Sequence, residues 1–302
     1  LTESLTERGF SVVSAMDGEL GSMDRQIFDV EDHVEEALEV LSDCEIVIAA
    51  VGECSADIGE ATSKTCLRLS PNQEKLIRSL KEAGKTVITL VFSGRPLEIK
   101  PILPYSDALV QAWFLGSESA AGLTDVLSGD YNPSGRLSMS FPQTVGQIPV
   151  YYNSYRTGRP YYGQEDHFVS KYLDCPNDPL FSFGYGLSYS TVEYSDFKVA
   201  KEGETCTASI TVRNTSGPAV KETVQLYIRD CYADVVRPVK ELKGFKQVDL
   251  APGEAKTVTF TITKDMLMFY NRRLEYVFEP GEFAIMVGPN SVDLAEAVVT
   301  IE

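Results

Sequence analysis

The chain has 302 residues, 43% hydrophobic and 24% charged, enough for two ordinary domains and too many for one small one. With 44 acidic against 27 basic residues the formal net charge is −17, so a phosphate backbone is repelled and no nucleic-acid partner is expected. No apolar run reaches the roughly 18 residues of a membrane span, and residues 1–8 lack the basic start and apolar core of a signal peptide.

Phe10–Ala15 reads as a short strand. From Val30 the apolar positions Val30, Val34, Ala37, Leu38 and Leu41 recur at helical spacing. Glu31, Asp32, Glu35 and Glu36 face outward or sit in the first turn, where acids complement the positive helix start. Ile46–Val51 is an unbroken apolar run of the kind a parallel strand needs when both its faces are covered. A polar loop from Gly52 to Leu69 follows, ending at Ser70-Pro71-Asn72-Gln73. Ser70 is placed to cap a helix, Pro71 suits its first turn, and Gln73 is expected to close a capping box back to Ser70. That helix runs to Ala83 and stops at Gly84, a left-handed cap. Thr86–Phe92 is a further apolar strand, followed by a turn at Ser93–Pro96, a strand at Ala108–Phe114 and a helix over Ser117–Leu127. Repeated strand–helix units of this length imply an α/β fold, a parallel sheet with helices on its faces.

After Gly129 the texture changes. Residues 131–189 are rich in Gly, Pro and Tyr with little periodicity, an ordered connection that wraps a surface. From Thr191 the pattern has period two: Val224, Leu226 and Ile228 share one strand face, Val258, Phe260 and Ile262 another, Phe283, Ile285 and Val287 a third. Turn signals at Asn214–Gly217, Ala251-Pro252-Gly253 and Pro280-Gly281 separate them, the pattern of an all-β, immunoglobulin-like sandwich of about 100 residues. The boundaries expected are 1–142 for the α/β domain, 143–190 for the connection and 191–302 for the β-domain.

The common catalytic constellations are missing: there is no G-x-S-x-G elbow, no H-E-x-x-H and no P-loop. Six scattered cysteines form no C-x-x-C pair, and His33 and His167 are the two histidines, so no zinc site is expected. The thiols read as mostly buried and free, which leans toward a reducing compartment. Asn214-Thr215-Ser216 fits a glycosylation sequon but is set aside, since such triplets arise by chance. What remains is the loop after Ile46–Val51. Ligands of parallel sheets bind beyond the carboxyl ends of the strands, and this loop holds Glu53, Asp57 and Glu60 with Ser55, Thr62, Ser63 and Lys64. A carboxyl there serves as a general acid if burial raises its pKa; otherwise it is a solvated loop charge.

Several ordered motifs decide between these. They include Val51-Gly52-Glu53, Gly59-Glu60-Ala61-Thr62-Ser63-Lys64, Gly94-Arg95-Pro96-Leu97, Ala112-Trp113-Phe114-Leu115-Gly116 and Tyr131-Asn132-Pro133-Ser134-Gly135-Arg136-Leu137. Gly158-Arg159-Pro160, Phe183-Gly184-Tyr185-Gly186-Leu187-Ser188-Tyr189 and Arg237-Pro238-Val239-Lys240-Glu241-Leu242-Lys243-Gly244-Phe245 follow in order. In these the chain resembles the carboxy-terminal part of β-glucosidases of glycoside hydrolase family three, of the periplasmic type. The resemblance implies a retaining exo-β-glucosidase whose amino-terminal (β/α)8-type barrel carries the nucleophilic aspartate, so no residue of this chain takes that role. It implies an α/β sandwich and a fibronectin type III-like domain after the barrel, with a first strand and part of its helix normally preceding Leu1. It makes Glu60 the acid/base, ahead of Glu53, which directly follows the strand and is expected to be structural. Relatives usually carry Arg at the position of Lys64, so a forked contact there is replaced by a single ammonium. No metal or organic cofactor is implied.

The partners implied are a small β-glucoside or oligosaccharide substrate and the barrel; a homodimer is left open. Without the barrel the fragment is expected to be inactive. The competing readings are a non-enzymatic carbohydrate-binding or scaffolding protein and the same enzyme class acting on β-xylosides. Trp113 and the tyrosines Tyr151, Tyr152, Tyr155, Tyr161 and Tyr162 read as packing residues before sugar platforms, and Gly94-Arg95-Pro96 as turn chemistry.

Overall fold

Three parallel strands, β1 (Ile46–Gly52), β2 (Thr86–Phe92) and β3 (Ala108–Gln111), lie side by side in that order in the first part of the chain. They belong to a computed structural model that describes residues 1–15, 33–54, 57–202 and 205–302. The chain divides into two units, Leu1–Asp130 with Pro142–Ile148, and Tyr131–Phe141 with Pro149–Glu302.

In the first unit β2 is the central strand and buries Val87, Leu90 and Val91 completely. Of the helices α1 (Thr2–Glu7), α2 (Val34–Val40) and α3 (Pro71–Glu82), α3 packs on β1 and β2 and turns Leu76, Ile77 and Leu80 inward, the i, i+1, i+4 stripe of an amphipathic helix. A second cluster gathers Leu90 and Ala112 with Leu123 of the helix Ser119–Ser128, and Ile48, Ile88, Phe92 and Val110 pack against it. Ser70 caps α3 as expected, its hydroxyl accepting the Gln73 amide at 3.3 Å. The capping box does not close. Gln73 is 3% exposed and its side-chain amide turns instead to Gly52, donating to the Gly52 carbonyl at 3.1 Å and accepting the Gly52 amide at 3.4 Å. The surroundings explain this: the end of β1 offers a half-buried backbone amide and carbonyl that the sheet does not use, whereas the start of α3 is more open to water.

Other expectations are corrected in the same unit. Phe10–Ala15 is no strand: Phe10 and Val13 are about half exposed, and the Phe10 amide turns back to the Leu5 carbonyl at 3.2 Å. The residues before it form a short helix, Thr2–Glu7. The helix expected from Val30 is seen from Val34 to Val40, with Val34, Ala37 and Leu41 buried; Val30, Glu31 and Asp32 lie outside the described residues. β1 is fully covered on one face and partly on the other, where Ile48 packs against the second cluster while Ile46 and Ala50 are exposed. The strand expected to reach Phe114 ends at Gln111, because Trp113 takes a left-handed φ of 53°.

The second unit is an antiparallel sandwich. One sheet is β4 (Thr191–Glu202), β5 (Thr205–Ser216) and β8 (Ala255–Ile262); the other orders β12 (Ala295–Ile301), β11 (Gly281–Gly288), β6 (Val220–Asp230) and β7 (Glu241–Leu250). A two-stranded ribbon pairs β9 (Phe269–Tyr270) with β10 (Tyr276–Val277). The nine period-two residues predicted on β6, β8 and β11 all enter one core between the sheets. β6 and β11 are buried on their other face as well: Tyr227, Ala284 and Met286 form a second cluster against Tyr152 and Phe183, which stack at 4.3 Å. Tyr151, Tyr155 and Tyr162 stay exposed. Asn214 of the discarded sequon is fully buried and donates to the Pro218 carbonyl at 2.8 Å, so the folded chain presents no acceptor there. The thiols are free, but only Cys206 is buried among the six; Cys66 is exposed and the rest are half-buried, against the expectation of mostly buried cysteines.

Arg136 reaches both oxygens of Glu222 at 3.0 and 2.9 Å, with 10% and 4% of the two side chains exposed, and Tyr194 donates to Glu222 at 3.0 Å. Burial first, then the neighbouring carboxylate, pushes the Tyr194 hydroxyl up, which keeps it a donor. Removing the guanidinium leaves Glu222 a buried charge with one neutral partner. Arg136→Met is therefore expected to cost about 3 kcal/mol, read by urea unfolding of the chain. A loss below about 0.5 kcal/mol, the surface-pair range, would show the pair to be ornamental.

Candidate active site

The parallel register sets what meets at the carboxyl edge of the first sheet. Gly52 pairs with Phe92, so the residues just beyond, Glu53 on one side and Ser93-Gly94-Arg95 on the other, leave the sheet as neighbours. The Glu53 amide donates to the Phe92 carbonyl at 2.7 Å, extending the ladder one step. Its carboxylate, 2% exposed, accepts the Gly94 amide at 3.2 Å. Lys64 Nζ lies 3.4 Å and Arg95 Nε 3.3 Å from the other oxygen, Oε1, held there by charge without hydrogen-bond alignment. A recess of about 200 Å³ lined by Ala50–Cys54 and Phe92 adjoins it.

Lys64 also donates to Asp57 at 3.2 Å, and Arg95 Nη2 donates to the Asp57 carbonyl at 2.9 Å. The second Asp57 oxygen accepts the Cys54 amide at 3.0 Å and the Cys54 thiol at 3.4 Å. Burial by itself would raise the Asp57 carboxyl, but the Cys54 donors and Lys64 outweigh it and hold it below the usual carboxylate value. A depressed carboxylate stabilises the fold above its ordinary titration range, and that contribution fades as pH falls through the lowered value. Two carboxylates and two cations thus neutralise each other at the base of the loop. Arg95 contributes more than the turn chemistry expected of it. The signal was an unpaired Glu53 at the end of one strand and an arginine just past the end of the next, joined only by the parallel pairing.

Above this base the chain makes a tight turn. Gly59 has φ 106° and Ala61 has φ 62°, so Glu60 sits between two left-handed residues, and the Thr62 hydroxyl donates to the Gly59 carbonyl at 2.6 Å. An alanine in that region costs roughly 1 kcal/mol and persists where its surroundings impose it. Glu60 is exposed. The carboxylates expected together in this loop therefore part company, with Glu53 and Asp57 drawn into the ionic base and Glu60 carried away from it. Thr62 is half-buried and Ser63 exposed, while Ser55 lies outside the described residues. A Cβ on Gly94 would fall 3.2 Å from the Phe114 ring and 3.6 Å from Ile58, so these two apolar groups flank Gly94 beside the turn, Phe114 half exposed. Trp113 is half-buried.

The chain matches the Glycosyl hydrolase family 3 C-terminal domain over residues 3–189 and the Fibronectin type III-like domain over residues 222–291. It is 41% identical over 264 residues to a periplasmic beta-glucosidase of Salmonella typhimurium, covering 85% of this chain and 34% of the relative. It is 38% identical over 274 residues to a beta-xylosidase of Formosa agariphila, covering 88% and 37% respectively. The crystal structure of a beta-glucosidase from Listeria innocua in complex with glucose is similar at a TM-score of 0.88 and 42% identity, over 99% of this chain and 42% of that one. The chain spans about a third of the length of the curated relatives it matches.

Proposed function

Since this chain belongs to glycosyl hydrolase family 3, carrying the family's C-terminal domain and a fibronectin type III-like domain, we propose that it forms part of a retaining exo-β-glucosidase and supplies Glu60 as the acid/base. The single observation that carries this reading is the placement of Glu60: exposed, on a turn built from left-handed residues, at the carboxyl edge of a parallel sheet. Glu53 does not fit the role. Its carboxylate is buried against Lys64, Arg95 and the Gly94 amide, which leaves no approach for a leaving group.

A retaining glycosidase holds two carboxyls about 5–5.5 Å apart across the glycosidic bond. The attacking carboxylate is proposed to come from the amino-terminal barrel that the resemblance implies, outside this chain. As it bonds to the anomeric carbon, the Glu60 carboxyl protonates the glycosidic oxygen, the C–O bond breaks and the aglycone leaves as an alcohol. Glu60, now a carboxylate, takes a proton from water as that water attacks the glycosyl ester; the sugar departs with its β configuration and the acid is restored. An acid on a second domain reaches the bond only when the sugar is enclosed. The terminal sugar is proposed to be glucose, with xylose the second reading, because beta-glucosidases and a beta-xylosidase both stand among the relatives.

Kinetics of Glu60→Ala in the full-length protein, on cellobiose and on a dinitrophenyl β-glucoside, test the assignment; an unchanged rate on cellobiose removes it. The 302-residue chain alone is expected to release no product from an aryl β-glucoside. Turnover by the purified chain would place a nucleophile within it and overturn the division of labour proposed here.

A further inference from the structure

The ionic base beneath the turn uses four charged side chains, and proton transfer by Glu60 needs none of them as donor or acceptor. Glu53, Asp57, Lys64 and Arg95 each lie within ion-pair distance of an opposite charge in the group, with Glu53 2% and Lys64 7% exposed on their side chains. Burying such a network recovers little stability over apolar packing, because each charge loses its water. What charges supply and apolar groups do not is a fixed geometry, through contacts that hold at one separation and direction. Among the described residues the turn's own ties are Thr62 to the Gly59 carbonyl, the Asp57 amide to the Cys54 carbonyl at 3.0 Å, and the Cys54 amide and thiol to the Asp57 carboxylate. Lys64 bridges its two limbs. From the outgoing limb it reaches Asp57 on the incoming limb at 3.2 Å and Glu53 at the strand end at 3.4 Å, and Glu60 lies on the segment so closed.

We infer that Lys64 is a positioning residue for the Glu60 carboxyl: its ammonium clamps the turn to the end of β1 and so fixes where the proton is delivered. The inference rests on the reading of Glu60 as the acid/base. Displacing a reacting group by about 1 Å costs on the order of 100-fold in rate, and a turn released from its clamp moves at least that far.

The test uses the full-length protein with Lys64→Met, Lys64→Arg, Glu60→Ala and the Glu60→Ala/Lys64→Met double variant. Lys64→Met is expected to lower kcat/KM on cellobiose by about 100-fold while leaving the dinitrophenyl β-glucoside within about threefold, since that leaving group needs no proton. Lys64→Arg, which keeps the charge, restores cellobiose hydrolysis to within about tenfold of the parent. In the double variant the Lys64 change adds nothing to the loss from Glu60→Ala, because a clamp has no effect once the group it holds is gone. Equal losses on both substrates, or additive losses in the double variant, would reduce Lys64 to a structural role and overturn the inference. Normal cellobiose hydrolysis by Glu60→Ala would instead remove the acid/base reading, whatever Lys64 does. If Lys64→Met does not fold, the charge-balanced Glu53→Gln/Lys64→Met pair, which removes one carboxylate and one cation together, carries the same comparison.

Discussion

Glu60→Ala in the full-length protein is expected to lower kcat/KM on cellobiose by about 1,000-fold, or about 4 kcal/mol of transition-state stabilisation. An alkoxide leaving group departs only with a proton, and the turn offers no second acid to replace Glu60, as Glu53 and Asp57 are committed to Lys64 and Arg95. On a dinitrophenyl β-glucoside the same substitution leaves kcat/KM within about threefold, since the first step proceeds unaided. The second step still lacks its base, so kcat falls, KM falls with it and a burst of phenolate precedes the steady state. Azide, an anion that attacks without surrendering a proton, enters the space left by the side chain and restores kcat, with β-glucosyl azide as product. An equal loss on both substrates, with no azide rescue, would move the role elsewhere.

The sequence carried much of the scaffold. The core strand Thr86–Phe92 and the helix after Ser70-Pro71 were legible because local signals, an unbroken apolar run and a serine cap, agree with the packing that surrounds them. The second buried face of β6 and β11 was not legible: Tyr227, Ala284 and Met286 alternate with the sandwich core, and their partners Tyr152 and Phe183 come from a connection with no period to read. The ionic base was hidden for a related reason. Glu53 and Arg95 meet through the pairing of Gly52 with Phe92, and no local pattern announces a contact made by register. Glu60 itself stood out only through the motif around it. By residue type it is one carboxylate of a polar loop, and what sets it apart is the pair of left-handed residues beside it, one of them an alanine.

The most damaging single change in the first unit is expected at Gly52. This residue has φ 138°, a region closed to other side chains, and a Cβ built there would lie 1.8 Å from the Phe92 carbonyl oxygen and within 2.8 Å of the Phe92 amide nitrogen. Those atoms are backbone of the neighbouring strand, so relief requires parting β1 from β2 where Glu53 donates to that same carbonyl at 2.7 Å. The buried Gln73 amide, which holds both backbone groups of Gly52, would lose its partners as well. Gly52→Ala is therefore expected to destabilise the chain by more than about 4 kcal/mol, the range reserved for steric and buried-polar failures. Gly84→Ala separates the two contributions: Gly84 also has a positive φ, 79°, but nothing lies within 4 Å of its Cβ position, so only the backbone cost of roughly 1 kcal/mol applies. Urea unfolding of the two variants beside the parent chain measures both. Equal midpoints for Gly52→Ala and Gly84→Ala would mean that β1 yields at its carboxyl end, and the edge on which Glu53 and Lys64 anchor the turn would then lack the rigidity that proton delivery from Glu60 requires.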